Sequence, residues 1–502
     1  MNGKGEAYTI GLRGLEARRV KLTATVTPGS GIWSMGDPSD AVARETRIRV
    51  RSALPALGVL RGEHDIRIDV EGPPGFRATL DAAAAVAVLA ALGQVPDPGP
   101  SVAFLGELSL TGAIRPVRGI LPALRQGPVH GFSRAMIPAD CWREGGIASD
   151  VVEVVAAATL ADLVSILQGR DVAPVYDLPT APHAAPGPDF ADVRGQHAAR
   201  RAFEIAAAGG HHVLMIGPPG AGETMLARRL PTILPALTRD EAIELTEIRS
   251  VAGLQPADAG LMDARPFRAP HHTVSGPGLA GGGDPVRPGE VTLAHGGVLF
   301  LDEYNQFRRT TLETLVRPLA EGTASISRRS ERVTFPAAAH VVAAVQPCPC
   351  GFAGERRCTC SKERIAAYRE RIQGLPLFGA FDLHVVLPPV EVAFLQQREP
   401  GESSAKMRAR VEAARKVQAE RGQDGPNARL EPLELERFAP LGDKARALLR
   451  TAMERGLSAE DAVRVRRVAR SIADLDGPGG IQASHMAEAL GALPFAAGGI
   501  SS

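Results

Sequence analysis

The segment GPPGAGETM, residues 217–225, has the glycine spacing of a loop that binds phosphate. Such loops read G-x-x-x-x-G-K-[ST], and their glycines let successive backbone N–H groups converge on anionic oxygens where a helix begins. Here the spacing and the final hydroxyl residue are kept, but Glu223 occupies the place of the lysine. The candidate nucleotide-binding residues are Gly217, Pro218, Pro219, Gly220, Ala221, Gly222, Glu223, Thr224 and Met225.

The glutamate changes the charge of this loop by two units. The lysine of a phosphate loop balances the charge of the β- and γ-phosphates. At an effective dielectric constant of ~20, one pair of unit charges at ~4 Å is worth about 4 kcal/mol before solvent compensation. Glu223 therefore predicts weakened or lost nucleotide binding. The alternative is a working ATPase in which Arg228 or Arg229, on the helix that follows, supplies the missing charge.

Two acids follow a second apolar run and complete the expected site. The stretch GGVLFLDE, residues 296–303, has the composition of a buried strand and ends in Asp302 and Glu303. Beside a phosphate loop, the first acid would orient Mg²⁺ together with Thr224, and the second would polarise the attacking water. These residues predict a site for ATP with Mg²⁺.

Four of the five cysteines lie between residues 348 and 360. Cys348, Cys350, Cys358 and Cys360 form a C-x-C, seven-residue, C-x-C pattern, whereas Cys141 is remote and is expected to be an ordinary buried thiol. In a reducing compartment, four thiols this close favour a tetrahedral zinc site that pins a loop, with zinc–sulfur bonds of about 2.3 Å. The C-x-C spacing is tighter than the usual C-x-x-C, so free structural thiols stay open as an alternative.

A parallel sheet is needed to bring these residues together. The runs HHVLMIG, residues 211–217, and AAHVVAAVQP, residues 338–347, read as buried strands, and the first leads into the loop. A proline-rich segment, 171–190, reads as a linker. We therefore expect the α/β fold class, with a mixed α/β unit over residues 1–170, a second unit with the phosphate loop over 191–400, and helices over 401–495.

Charge and composition leave a nucleic-acid partner open. The chain has 502 residues, 44% apolar content and a formal net charge of +1, so DNA binding would need a local basic patch. Arg328, Arg329 and Arg332 form such a patch and are candidate DNA contacts, unless they are only a solvated hairpin edge. We see neither a secretory signal pattern nor an apolar run that could span a bilayer, and expect a cytoplasmic protein without a membrane partner.

Along nearly its whole length the chain resembles the magnesium chelatase-like AAA+ ATPases of the YifB/ComM type. The resemblance is carried by GDPSDAVARETRIRVRSAL (36–54), FLGELSLTGAIRPVRGILPAL (104–124), DVRGQHAARRAFEIAAAGGHHVLMIGPPGAG (192–222), RPFRAPHHTVS (265–275), RPGEVTLAHGGVLFLDE (287–303) and QPCPCG (346–351). It implies a Lon-protease-like α/β domain, a P-loop AAA+ core in which helices flank a parallel sheet, and a carboxy-terminal helical lid. It also implies a homo-oligomeric ring, usually a hexamer, that acts on DNA as an ATP-driven helicase or branch-migration motor in the recombination of incoming strands.

Three further positions depart from the pattern of that family. Gln346 stands where the family places a sensor asparagine that helps catalysis, Ala380 replaces the arginine finger in GAFDLH, and Glu460 replaces the arginine of the second sensor. Losing a finger arginine typically removes a factor on the order of 10³ or more from hydrolysis. We therefore expect a DNA-processing AAA+ protein with impaired or lost ATP hydrolysis. The alternatives are an active DNA-stimulated motor and a non-hydrolysing DNA-binding scaffold, which could form a mixed ring with an intact paralogue.

Two other features of the family need comment. Lon enzymes use a serine–lysine pair, but the place of the lysine falls at Pro122 and that of the serine near Thr79, so proteolysis is not expected. The pair His271-His272 lies where this clade inserts a loop toward the pore of the ring, which leaves a hydrogen-bonded structural role or a DNA-facing role.

Overall fold

A computed structural model describes residues 3–36, 40–59, 64–76, 78–170, 187–257, 259–328, 331–389 and 401–493. Within these ranges the chain forms two α/β units and a helical region that packs on the second unit. Most of the expected linker, residues 171–186, lies outside the described residues. Among the helices that are described, none is both long and apolar enough to cross a bilayer.

The first unit is built on a seven-stranded mixed sheet in the order β3-β4-β2-β1-β5-β8-β9. The strands of this unit are β1 (Gly3–Arg13), β2 (Glu16–Pro28), β3 (Trp33–Met35), β4 (His64–Glu71), β5 (Val102–Phe104), β6 (Glu107–Leu108), β7 (Ile114–Arg115), β8 (Arg134–Pro138) and β9 (Glu153–Ala157). Of these, β6 and β7 form a separate two-stranded sheet. Its helices are α1 (Ala41–Ala53), α2 (Asp81–Ala91), α3 (Ile120–Gln126), α4 (Trp142–Gly146) and α5 (Leu160–Leu167). The alanine-rich α2 is buried along most of its length because it lies directly on β1, where a Cβ on Gly5 would be 2.3 Å from the carbonyl oxygen of Ala87.

The second unit contains a five-stranded parallel sheet in the order β11-β14-β17-β10-β18. Its strands are β10 (Val213–Ile216), β11 (Phe267–Arg268), β12 (Gly281–Gly282), β13 (Arg287–Pro288), β14 (Val298–Leu301), β15 (Thr323–Arg328), β16 (Glu331–Pro336), β17 (His340–Val345) and β18 (Leu383–Val386). Its helices are α6 (His197–Gly209), α7 (Glu223–Ala227), α8 (Leu230–Ile233), α9 (Arg239–Ala252), α10 (Gly276–Ala280), α11 (Glu290–Leu293), α12 (Arg309–Glu321) and α13 (Lys362–Gln373). Because β14, β17 and β10 are neighbours, the segments that follow them meet at one edge of the sheet.

The helical region shares one hydrophobic core with this sheet. Its helices are α14 (Ser404–Glu420), α15 (Pro432–Phe438), α16 (Asp443–Glu454), α17 (Ala459–Asp476) and α18 (Ala483–Gly491). Buried polar groups join the two layers: Nδ1 of His211 lies 2.9 Å from Oδ2 of Asp382, and Nε2 lies 2.7 Å from Oγ of Ser471 on α17. These bonds tie the starts of β10 and β18 to the helices behind the sheet.

The two α/β units meet where α3 packs on α9. The buried carboxylate of Glu144 accepts hydrogen bonds from the backbone N–H of Leu121, at 2.9 Å, and from the hydroxyl of Ser250 on α9. Burial raises the pKa of Glu144, so this carboxyl group ionises less readily than usual. The hydrogen bond that it accepts from Ser250 links the first unit to the second. The expected α/β class, with a parallel sheet flanked by helices and a helical region after it, is confirmed.

Candidate functional site

The phosphate loop has the predicted position and backbone. It leaves β10 at Ile216 and enters α7, and the backbone N–H of Ala221 donates to the carbonyl of Pro218 at 3.1 Å. Gly220 and Gly222 have φ values of +84° and +94°, a region that favours glycine, so the glycine spacing serves the turn that the loop makes. The glycine-rich turn that was expected from sequence is therefore present in the main chain, and its role as a phosphate cradle stays a prediction.

The carboxyl group of Glu223 lies within this loop. A Cβ placed on Gly217 would be 3.3 Å from Oε1 of Glu223, which puts the carboxyl group against the start of the loop. Burial, and then the charge of Asp302, raise the pKa of Glu223 to about 7. Near neutral pH this carboxyl group is therefore balanced between a neutral form and an anion that would repel phosphate.

The residues expected on the magnesium side converge. The hydroxyl of Thr224 donates to Oδ2 of Asp302 at 3.2 Å, and the backbone N–H of Glu303 donates to Oδ1 of Asp302 at 3.0 Å. Glu303 has a φ of +50°, which is rare outside glycine, and its Oε2 lies 3.4 Å from Nδ1 of His272. One hydroxyl and two carboxylates thus lie together at the end of β14, as a Mg²⁺ site and a water-activating acid would require.

Glu223, Asp302 and Glu303 line one cavity of about 730 Å³ at the edge of the parallel sheet, a volume in the range of ligand pockets, whereas Thr224 is not among its lining residues. Gln346, which follows β17, lies on its wall together with Pro219 and Glu223 of the loop. His271 and His272 also line this cavity, so the structure brings the histidine pair to Glu303.

One wall of the cavity was missed by the sequence reasoning. It is the face of α13 that carries Arg364, Ala367, Tyr368 and Arg371. The signal was present as an i, i+3, i+4, i+7 spacing shortly after the cysteines. The sequence alone did not show which way that face points.

The two arginines proposed to replace the lysine lie elsewhere. Arg229 donates to the carbonyls of Asp189 and Met225, at 2.7 and 2.8 Å, and pairs with Asp192 at 2.7 Å. The guanidinium of Arg228 lies 5.2 Å from the ring centre of Phe267. Neither residue lines the cavity.

Ala380 and Glu460 lie together on a different part of the surface. Both line a second cavity, of about 840 Å³, that does not include the phosphate loop. A Cβ on Gly379 would be 3.7 Å from Oε1 of Glu460, and the Glu460 carboxylate forms an ion pair with Arg464. The positions assigned to the finger and the second sensor are thus close to each other, and neither lines the cavity that contains Glu223.

The four clustered cysteines converge on one point. Their sulfur atoms all lie within 4.8 Å of one another, and Cys348 is 3.3 Å from Cys350 and 3.9 Å from Cys358. A tetrahedron with zinc–sulfur bonds of about 2.3 Å has sulfur–sulfur distances of about 3.8 Å, so the cluster has the size that a zinc ion needs. Backbone hydrogen bonds at Thr359 and Phe352 lower the pKa of Cys350, whereas contacts among the sulfur atoms help to raise the pKa values of Cys358 and Cys360.

The cysteine cluster touches the phosphate loop. Gly351 follows Cys350 with a φ of +85°, and a Cβ there would be 2.7 Å from the ring of Pro219 and 3.4 Å from Oε1 of Gln346. This close approach links the cluster to two walls of the cavity. Cys141 lies apart in the first unit, where burial raises the pKa of its thiol to about 12.

The candidate DNA contacts belong to the antiparallel hairpin of β15 and β16. In this hairpin Ser327 pairs with Arg332, whose side chain is exposed, and Arg328 pairs with Glu331. Arg329 lies outside the described residues. The backbone therefore places Arg328 and Arg332 near the tip of this hairpin.

Three family models match this chain. The model for "Magnesium chelatase, subunit ChlI" matches residues 189–395, and the model for the ChlI C-terminal region matches residues 401–492. A third, "Subunit ChlI of Mg-chelatase", matches residues 24–141.

Relatives with similar sequences cover almost the whole chain. The uncharacterized protein Rv2897c of Mycobacterium tuberculosis is 39% identical over 485 residues, which are 94% of this chain and 95% of that protein. The competence protein ComM of Haemophilus influenzae is 36% identical over 495 residues, which are 96% of each chain. A partial match to Lon protease 2 of Bacillus subtilis is 24% identical over 136 residues, 26% of this chain and 24% of that protein.

Proposed function

This chain belongs to the magnesium chelatase-like AAA+ family of the YifB/ComM type, and from that premise we propose that it is a DNA-processing ring protein whose ATP hydrolysis is impaired. The observation that carries the proposal is the carboxyl group of Glu223, which lies inside an otherwise intact phosphate loop and beside Asp302. A negative charge at this point opposes the polyphosphate that the loop would hold.

The residues of the site suit Mg²⁺ better than they suit the polyphosphate of a nucleotide. Thr224 and Asp302 are 3.2 Å apart and offer the oxygen ligands that Mg²⁺ prefers. Glu223 does not fit a polyphosphate while it is ionised, and Arg228 and Arg229 do not line the cavity. We therefore propose weak binding of ATP with Mg²⁺, which strengthens when Glu223 is protonated, and we assign no hydrolytic step to Glu303.

The other substituted positions support impaired turnover. Gln346 lies on the cavity wall with an amide one methylene longer than the sensor asparagine of the family, which moves the group that would orient a water. Ala380 and Glu460 line a cavity that does not include the loop. The finger arginine of the family, whose place Ala380 takes, would reach into the site of a neighbouring subunit. Neither Ala380 nor Glu460 can supply the positive charge that stabilises phosphoryl transfer.

The ring and the DNA partner are also proposals. They rest on similarity to a competence protein over 96% of the chain and on the family resemblance. The hairpin of β15 and β16 supports a DNA contact, because Arg332 is exposed near its tip and Arg328 lies on the facing strand. A homo-oligomeric ring, or a mixed ring with an intact paralogue, would place several such hairpins together.

We further propose that Cys348, Cys350, Cys358 and Cys360 hold one structural zinc ion. Their sulfur atoms have the spacing of a tetrahedral site. Four protein ligands leave no open position for water, so the role is to fix the loop that carries Gly351 against the phosphate loop.

The proposal is tested by measuring Mg²⁺–ATP binding by calorimetry, and ATP turnover with single-stranded DNA, for the natural chain and Glu223→Lys. We expect the variant to bind ATP on the order of 100-fold more tightly, because the local charge reverses, while turnover stays low because Gln346, Ala380 and Glu460 remain. Glu370→Lys makes the same charge change at an exposed position of α13 that does not line the cavity, and should leave affinity unchanged. Rapid DNA-stimulated hydrolysis by the natural chain would refute the proposal.

A further inference from the structure

Helix α13 carries two arginines that line the nucleotide cavity. Arg364 and Arg371 are seven residues apart, so they lie two turns apart on one helix face, and the cavity lining includes both. Ala367 and Tyr368 fill the space between them on the same face. Both arginines are exposed, and their side chains are free to adjust to a ligand.

Nothing acidic in the described part of the chain neutralises these two arginines. Across those residues, no carboxylate comes within 4.0 Å of the guanidinium group of Arg364 or Arg371. Neighbouring arginines differ: Arg357 pairs with Glu355 at 2.8 Å, and Arg309 pairs with Glu313 at 3.1 Å. The guanidinium of Arg371 lies 5.7 Å from the ring centre of Tyr368, a contact that leaves its N–H groups available.

The cavity therefore has a separation of charge. Glu223, Asp302 and Glu303 lie on the loop and strand side, and the unpaired arginines lie on the helix side. If the arginines served only to neutralise those acids, arginine–carboxylate ion pairs would bridge the cavity. Among the described residues neither arginine forms such a pair, and Oε2 of Glu303 instead lies 3.4 Å from Nδ1 of His272. A ligand that carries negative charge toward α13 would pair with both arginines in this space.

We propose that Arg364 and Arg371 bind the polyphosphate of a nucleoside triphosphate and supply the positive charge that the phosphate loop lacks. This inference rests on the proposed function, because it takes the cavity to be a nucleotide site. Guanidinium groups suit the role, since each can donate two parallel hydrogen bonds to phosphate oxygens and stays charged at any pH at which the protein is folded.

In this arrangement two different segments would bind the nucleotide. Backbone N–H groups and the Thr224–Asp302 pair would act from the loop side, while the positive charge would come from a separate helix. A phosphate held by α13 need not be aligned with Glu303 for attack by water. This arrangement permits nucleotide binding without efficient turnover.

The test measures binding of ATP, AMP and inorganic tripolyphosphate, each with Mg²⁺, to Arg364→Gln, Arg371→Gln and the double variant. The control is Lys362→Gln, which removes one charge from the same helix at an exposed position outside the cavity. We expect each arginine variant to lose on the order of ten-fold in affinity for ATP and tripolyphosphate, with little change for AMP and none in the control. All variants should keep the melting temperature and the self-association of the natural chain.

Every measurement is repeated in a Glu223→Lys background, where tighter binding keeps the comparison measurable. If the double variant binds ATP as the control does in both backgrounds, the inference is wrong and the proposed function stands. If the variants change self-association and leave polyphosphate binding intact, the arginines contact a neighbouring subunit, and the inference is again wrong. Rapid ATP hydrolysis by the natural chain would instead refute the proposed function, whatever the arginine variants do.

Discussion

The phosphate loop and the cysteine cluster approach each other at Pro219 and Gly351, but their residues suit the proposed ligands to different degrees. In the cysteine cluster, backbone and side chains agree, because all four thiols converge at the distances of one metal site. In the loop, the backbone has the form of a phosphate cradle while the side chain of Glu223 opposes phosphate. The shape of a site and its charge can therefore change independently.

The loop tolerates Glu223 because its fold depends on other groups. Gly220 and Gly222 hold the turn with positive φ angles, and β10 fixes its start. Glu223 is the first residue of α7, a position where the helix dipole favours a carboxylate. Burial and Asp302 outweigh that effect and raise the pKa to about 7. The proposal therefore assigns the effect of Glu223 to nucleotide binding rather than to the fold of the loop.

The largest effect we predict is loss of the metal from the cysteine cluster. The purified chain should contain one zinc ion, and Cys348→Ser should remove it and lower the free energy of unfolding by about 3 kcal/mol or more, since metal binding is coupled to folding. Elemental analysis and chemical denaturation check both values. Cys141→Ala is the control for zinc content, because Cys141 is remote from the cluster. A chain that contains no zinc and is unaffected by Cys348→Ser would place the cluster among free structural thiols.

A smaller effect is expected when the charge of the loop is removed. The pKa of Glu223 is about 7 in the folded chain against an ordinary value of 4.5, so its ionisation opposes folding increasingly as pH rises between those values and by a constant amount above 7. Glu223→Gln should raise the free energy of unfolding by about 1 kcal/mol at pH 8, after allowance for partial exposure, and by almost nothing at pH 4.5. Denaturant titrations at the two pH values measure this difference. An equal effect at both would show that the carboxyl group is not perturbed by its surroundings.

The smallest effect we predict concerns the hairpin of β15 and β16. DNA binding by this hairpin should not depend on the phosphate loop or on the cysteine cluster. Arg332→Ala should weaken binding of single-stranded DNA by a factor of about 3 and lower the salt dependence by about one unit of slope. Fluorescence anisotropy over a series of salt concentrations measures both quantities. Arg317→Ala, an exposed arginine paired with Glu321, is the control. Equal losses in the two variants would mean that the hairpin makes no particular contact.

The parts of the site that follow strands were predictable from sequence, and the parts that depend on how helices cross were not. Asp302 and the loop meet because β14 and β10 flank β17 in one parallel sheet. Residues that follow neighbouring parallel strands lie at the same edge of the sheet, and the strands were recognisable in the sequence. The arginine face of α13 and the second cavity with Ala380 and Glu460 depend on packing between distant segments. For His271 and His272 the sequence left a hydrogen-bonded structural role or a DNA-facing role, and in the structure Nδ1 of His271 lies 2.9 Å from Oγ1 of Thr273 while Nδ1 of His272 lies 3.4 Å from Oε2 of Glu303.

The most direct test of the central claim is the affinity for Mg²⁺–ATP between pH 6 and pH 8, measured for the natural chain and for Glu223→Gln. Because the pKa of Glu223 is about 7, its carboxyl group is mostly neutral at pH 6 and mostly anionic at pH 8. The account predicts that, from pH 6 to pH 8, the affinity of the natural chain falls on the order of ten-fold more than that of Glu223→Gln. The variant serves as the control for protonation of the nucleotide itself. Parallel profiles for the two proteins would contradict the claim that the charge of Glu223 controls this site.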